Sequence, residues 1–137
     1  MKAILGVLSA LATFGVAGVL SAEPLKLQPA NPQPGSLRPG LAVRYAYPDD
    51  VKDLSQARAA LKIRSEAGPP LKGLDYRDTN EGDLTLTSKR AMHVAARITG
   101  YVRFEKPGVY NRDFLTNDGL QAKIGGQIVG EFNGRQP

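Results

Sequence analysis

Residues 99–129 read TGYVRFEKPGVYNRDFLTNDGLQAKIGGQIV, and in this stretch strand-like runs alternate with three turn signals. From Arg97 to Phe104, Ile98, Val102 and Phe104 fall on one side of an extended chain. Arg97, Thr99, Tyr101 and Arg103 fall on the other, which is the period-two pattern of a half-buried strand. Pro107-Gly108 predicts a turn, and Val109 to Leu115 a returning strand. Asn117-Asp118-Gly119 predicts a second turn, because glycine adopts positive φ without steric cost and Asx side chains bond nearby amides. Leu120 to Ile124 is the next strand, with Leu120, Ala122 and Ile124 on one face. Gly125-Gly126 suits a two-residue hairpin link, so Gln127 to Val129 is the strand after it. The whole run reads as a β-meander.

Outward from this stretch the β pattern continues. Leu84-Thr85-Leu86-Thr87 alternates and predicts a strand, and His93 onward continues the pattern into Phe104. Leu41 to Tyr47 is the first strand, with Val43 and Tyr45 facing opposite Ala42, Arg44 and Ala46, and Pro48 ends it. Asp49-Asp50 resembles a helix start, since carboxylates there satisfy open amides and suit the helix dipole. Val51, Leu54, Arg58 and Leu61 then recur at helical spacing, predicting one short helix over Val51 to Lys62. Leu71 to Gly82 reads as a loop with Leu74 and Tyr76 as anchors. The fold class that follows is all-β, an antiparallel sandwich with one short helix near the start. The strands counted before Gly130 are fewer than a sandwich ordinarily has, which suggests a truncated or minimal version.

The 137 residues divide into three parts. Residues 1–22 resemble a secretory signal: Met1-Lys2 is positive, Ala3 to Leu20 is apolar and uncharged, and Ser21-Ala22 offers small residues before a cut at Glu23. Cleavage would leave no stable membrane span; retention would leave an anchor at the lower limit of bilayer length. Residues 23–40 carry Pro24, Pro29, Pro32, Pro34 and Pro39 with few apolar residues, a linker composition. Residues 41–137 form the domain. Cysteine is absent, which rules out a disulfide framework and a lipid-bearing cysteine, and fits a bacterial periplasmic or extracellular protein.

The formal charge is +5, with lysine and arginine scattered rather than striped, so nucleic acid is not an expected partner. His93 is the only histidine and stands alone, a surface or strand residue. With no nucleophile beside a base and no cluster of metal ligands, an enzyme is not expected. Asp49, Asp50 and Asp53 read as helix-capping residues. Phe114 reads as core, and Tyr101 as an outward aromatic between Thr99 and Arg103 on which a sugar could stack.

Four segments taken in order, Gly100-Tyr101-Val102-Arg103-Phe104, Pro107-Gly108-Val109-Tyr110, Phe114 to Gly119 and Lys123 to Val129, resemble the protective antigen (PA-fourteen) domain. The resemblance implies a jelly-roll-like β-sandwich on secreted proteins that binds carbohydrate, with calcium held by an Asp-Asp pair that in turn holds sugar hydroxyls. Asn117 and Asp118 stand at those positions, so one carboxylate is replaced by an amide. The expected ligand-binding residues are Tyr101, from its outward ring, with Asn117, Asp118 and Gly119 at the turn the resemblance points to. The metal ligands implied are Asn117 and Asp118, with Asp113 as a third. The expected function is an exported, non-catalytic glycan-binding module assisted by calcium. The alternative is a structural or assembly module that binds another envelope protein.

Overall fold

The computed structural model describes residues 12–14, 18–20, 23–77, 80–116 and 118–134. Their elements are β1 (Ala12–Phe14), β2 (Gly18–Leu20), β3 (Ala42–Ala46), α1 (Leu54–Ile63), β4 (Glu66–Ala67), β5 (Ala95–Thr99), β6 (Leu120–Ile124) and β7 (Gln127–Phe132). They build three small sheets, β1-β2, β4-β3-β5 and β6-β7. Among the described residues the protein is thus a small β-rich fold with antiparallel pairing and one short helix. β1 and β2 lie inside the segment read as an export signal; the rest of that segment is outside the described residues. No helix among the described residues is long and apolar enough to cross a membrane.

The chain forms two compact units. One gathers the described residues up to Gly35 with Val102–Thr116 and Gln121–Glu131; the other gathers Ser36–Tyr101 with 118–120 and 132–134.

In the second unit β3 is central. Its alternation is the predicted one, with Val43 and Tyr45 buried and Ala42 and Arg44 exposed. β5 pairs with it antiparallel, Ala42 with Thr99, Val43 with Ile98 and Arg44 with Arg97, and β4 pairs on the other edge. Val43, Tyr45 and Leu71 form the core, with Leu41, Tyr47, Leu86, Val94 and Ile98 packed on it. Leu71, not Leu74 or Tyr76, anchors the loop: it is completely buried, while Leu74 and Tyr76 are exposed. The helix starts later than predicted, because Asp53 rather than Asp49 or Asp50 takes the extended cap conformation and accepts from the Gln56 amide at 2.8 Å. α1 lies against β3 and β5.

The predicted strand at Leu84–Thr87 is instead a tight turn. Leu86 has φ 52°, and the hydroxyls satisfy local backbone: Thr85 Oγ1 donates to the Ala91 carbonyl and Ser88 Oγ to that of Arg90. Short hydroxyl side chains compete in this way with a sheet ladder. His93 likewise has φ 55° and is not in a strand; its Nδ1 is 3.3 Å from Asp50 Oδ1. The strand predicted over Arg97–Phe104 stops at Thr99.

In the first unit β6 and β7 form the predicted hairpin. Gly125 (φ 57°) and Gly126 (φ 78°) both occupy the left-handed region a primed turn requires. β7 runs on to Phe132, beyond the expected Val129. Leu27 and Val129 are the buried centre, joined by Leu25, Phe104, Ala122 and Ile124. The proline-rich segment is therefore more than a spacer: it supplies two leucines, and Gln127 Nε2 donates to the Lys26 carbonyl at 2.7 Å. Val109–Leu115 is not a strand. Tyr110 turns back to donate to the Lys106 carbonyl and packs on Phe104 at 4.7 Å, so the segment closes on itself. Phe114 is a half-exposed ring rather than core. It covers Gly130, where an added Cβ would stand 2.5 Å from the ring, and lies beneath the Arg112 guanidinium.

On β4, Glu66 Oε1 lies 2.6 Å from Lys89 Nζ. That hydrogen bond holds the Glu66 carboxyl below its ordinary value and the Lys89 ammonium above its own. A lowered carboxylate adds stability above its unfolded value and loses it as pH falls through the folded one. A raised ammonium adds stability below its unfolded value and loses it as pH rises through the folded one. Solvent screens the pair, so its contribution is small. Glu66→Gln is expected to lower the urea midpoint slightly between about pH 5 and 9 in low salt, the difference vanishing below about pH 3 or in about 1 M salt.

Tyr45 should matter far more. Tyr45→Phe leaves the Thr87 amide without its acceptor and is expected to cost about 1–3 kcal/mol. Gly68→Ala drives a methyl into the Tyr45 ring and is expected to cost a similar amount. Urea denaturation checks both; losses below about 0.5 kcal/mol would mean the ring is not held as described.

Candidate functional site

Two glycines and one backbone pair shape a groove in the second unit. Leu41 and Leu71 exchange amide-to-carbonyl bonds of 2.8 and 2.9 Å, which draws residues 37–42 against Pro70. Gly40 makes this approach feasible, with φ 100° and the Leu71 carbonyl oxygen 2.8 Å from where a Cβ would be. At the end of β5, Gly100 lets the Leu41 side chain occupy the place of a Cβ. Between them lies an open groove of about 580 Å³, whose walls include Leu37, Arg38, Pro39, Leu41, Thr99 and Tyr101.

Its surface mixes apolar walls with a few polar groups. Tyr101 is 57% exposed and Leu37 47%, so both present apolar area to solvent. Arg38 and Thr99 supply hydrogen-bonding groups at the same place. No Asp or Glu is among the lining residues. The arrangement can hold a flat, partly apolar ligand against the tyrosine ring while polar side chains meet its rim.

Tyr101 lies at the groove, whereas Asp118 and Gly119 do not line it. Gly119 is placed instead near the start of α1, its Cβ direction 3.5 Å from the Asn133 carbonyl and 3.6 Å from Leu54 Cδ2. Asp113 is exposed and belongs to the first unit. Asn117 lies outside the described residues. Among the described residues no group of three or more His, Asp or Glu side chains converges as a metal site. Arg38, Leu37 and Pro39 were missed as site residues because their proline-rich composition reads as linker. The only local hint was Gly40 immediately before a strand.

No protein-family model matches the chain, and neither a curated protein nor a solved structure does.

Calcium binding through Asn117, Asp118 and Asp113 is open to direct test. A hard cation needs six or more oxygens, whereas Asn117, Asp118 and Asp113 offer three side chains and only two charges. Calcium titration followed by calorimetry is expected to give no saturable response below about 1 mM in the wild type or in Asn117→Asp. A response in Asn117→Asp that tightens on gaining the charge would establish residues 117 and 118 as part of a cation site.

Proposed function

We propose that the protein is an exported, non-catalytic binding module whose ligand is a glycan outside the cytoplasm, held in the groove beside Tyr101. The observation that carries this reading is the exposed Tyr101 ring at the rim of an open groove that also presents Arg38 and Thr99. A pyranose has an apolar face that packs on an aromatic ring and a hydroxyl rim that needs donors and acceptors, and this wall offers both. Kinship with the protective antigen domain, its two-layer sandwich and a bacterial periplasmic or extracellular location belong to the same proposal. The kinship is supported by the order of motifs and by the Gly125-Gly126 hairpin, and the location by the signal-like residues 1–22 and the lack of cysteine.

A second reading, an assembly module that binds another envelope protein, is favoured by a different feature. Val109 and Leu115 are 63% and 103% exposed in a stretch without sheet pairing, more apolar surface than so short a segment ordinarily leaves in water.

Glycan-array binding followed by calorimetry tests the first reading. Tyr101→Ala is expected to weaken glycan binding about tenfold or more, a loss of about 1.4 kcal/mol, while leaving the thermal midpoint nearly unchanged because the ring is exposed. Undiminished binding would remove Tyr101 from the site and the groove with it.

A further inference from the structure

We infer that the surface beside Tyr101 selects an acidic glycan, one whose sugars carry carboxylates, through Arg97 of β5, whose register partner on β3 is a second arginine, Arg44. The inference rests on the glycan reading of the groove and names its substrate class.

The register fixes the geometry. Arg44 is directly opposite Arg97, and the next pair on that face is Ala42 opposite Thr99. This face is the one turned away from Val43, Tyr45 and Ile98, since side chains alternate along a strand. At its Ala46–Ala95 end the row is buried; at Arg44, Arg97, Ala42 and Thr99 it is exposed. Ala42 and Thr99 also line the groove, together with Arg38 and Tyr101. One row of residues therefore runs from an aromatic ring, past a threonine and a small alanine, to Arg97 and its register partner Arg44. Successive same-face rows are separated by two residues, roughly 6–7 Å, so an oligosaccharide seated on Tyr101 reaches the arginines within a few sugar units.

Charge is what singles out this end. Directly opposed side chains in an antiparallel pair have Cβ atoms about 4.5–5.5 Å apart, and like charges there repel. Among the described residues neither Arg44 nor Arg97 forms an ion pair with a carboxylate. Glu66, in register with Tyr45, belongs to the opposite face and is bound to Lys89. Arg44 is nevertheless held in place: its Nε donates to Ser65 Oγ at 2.9 Å and its Nη2 to the Ser65 carbonyl at 2.7 Å. Ser65 thus occupies the Nε–Nη2 edge of Arg44, whereas Arg97 is exposed and keeps its own fork for a bidentate oxyanion, and a carboxylate bound there offsets the like charge of its register partner.

Arg97 is the residue to change, because Arg44 has a structural partner in Ser65. The probes are a trigalacturonate, its neutral methyl ester and a short polyglutamate, measured by calorimetry against wild type, Arg97→Gln and Arg97→Lys, with thermal midpoints as a folding control. In low salt the wild type is expected to bind the acid about tenfold or more tighter than the ester. Arg97→Gln is expected to abolish that preference while keeping the weaker ester binding; Arg97→Lys should restore part of it, and high salt should erase it. Equal binding of acid and ester by the wild type, or an undiminished preference in Arg97→Gln, would overturn the arginine pair while leaving the glycan groove standing. Binding of polyglutamate with neither sugar bound would overturn both and mark the face as a site for acidic polypeptide. No binding of any probe would overturn both as well.

Discussion

A single tyrosine ring occupies the space that residue 68 leaves by having no side chain, and the larger unit is organised around that fit. Tyr45 is only 1% exposed, and a Cβ on Gly68 would collide with its ring. The phenol group is not stranded by its burial. It accepts from the Thr87 amide at 3.0 Å and lies 2.7 Å from Thr87 Oγ1, which in turn donates to the Pro69 carbonyl. With one proton on each hydroxyl, the order is fixed: Tyr45 donates to Thr87, and Thr87 donates to Pro69. That short relay ties β3 to the turn at 85–88 and to the segment entering Leu71. A buried polar chain in which every member is satisfied specifies one arrangement more sharply than apolar packing alone.

The groove is a consequence of the same packing. Because Leu71 is buried beneath β3, its backbone is drawn level with Leu41, and the pair closes one side of the groove. β5, in register with β3, delivers Thr99, Gly100 and Tyr101 to the other side. The alternation that buries Val43 and Tyr45 also forces Arg44 and Arg97 outward together. Core and candidate site are thus two faces of one strand pairing.

What the sequence made legible follows from locality. β3 was readable because a period of two is a property of adjacent residues, and the 125–126 turn because paired glycines permit positive φ. The helix was readable from its spacing, but its start was misplaced by three aspartates of which only Asp53 has the cap geometry. Leu84–Thr87 alternates as a strand does, yet Thr85 and Ser88 found backbone carbonyls within a few residues and Thr87 found the Pro69 carbonyl and the Tyr45 hydroxyl, and no period in the sequence encodes that competition. Val109–Leu115 failed for the same kind of reason, with Tyr110 folding back on Phe104 and Lys106. Tyr101 could be named as an outward aromatic; Arg38 could not. Its place beside Tyr101 depends on the pairing of Leu41 with Leu71, thirty residues apart, and on Gly40 tolerating it.

The central claim is that one exposed row of side chains, Arg44 and Arg97 through Thr99 to Tyr101, is where ligand meets protein. Nuclear magnetic resonance of the isotope-labelled protein titrated with an oligogalacturonate reads this residue by residue. The account predicts shift changes at the Arg97, Thr99 and Tyr101 amides and the Arg44 Nε, with the 120–132 hairpin unmoved. Changes confined to the hairpin or the 118–119 turn, with β5 silent, would contradict it.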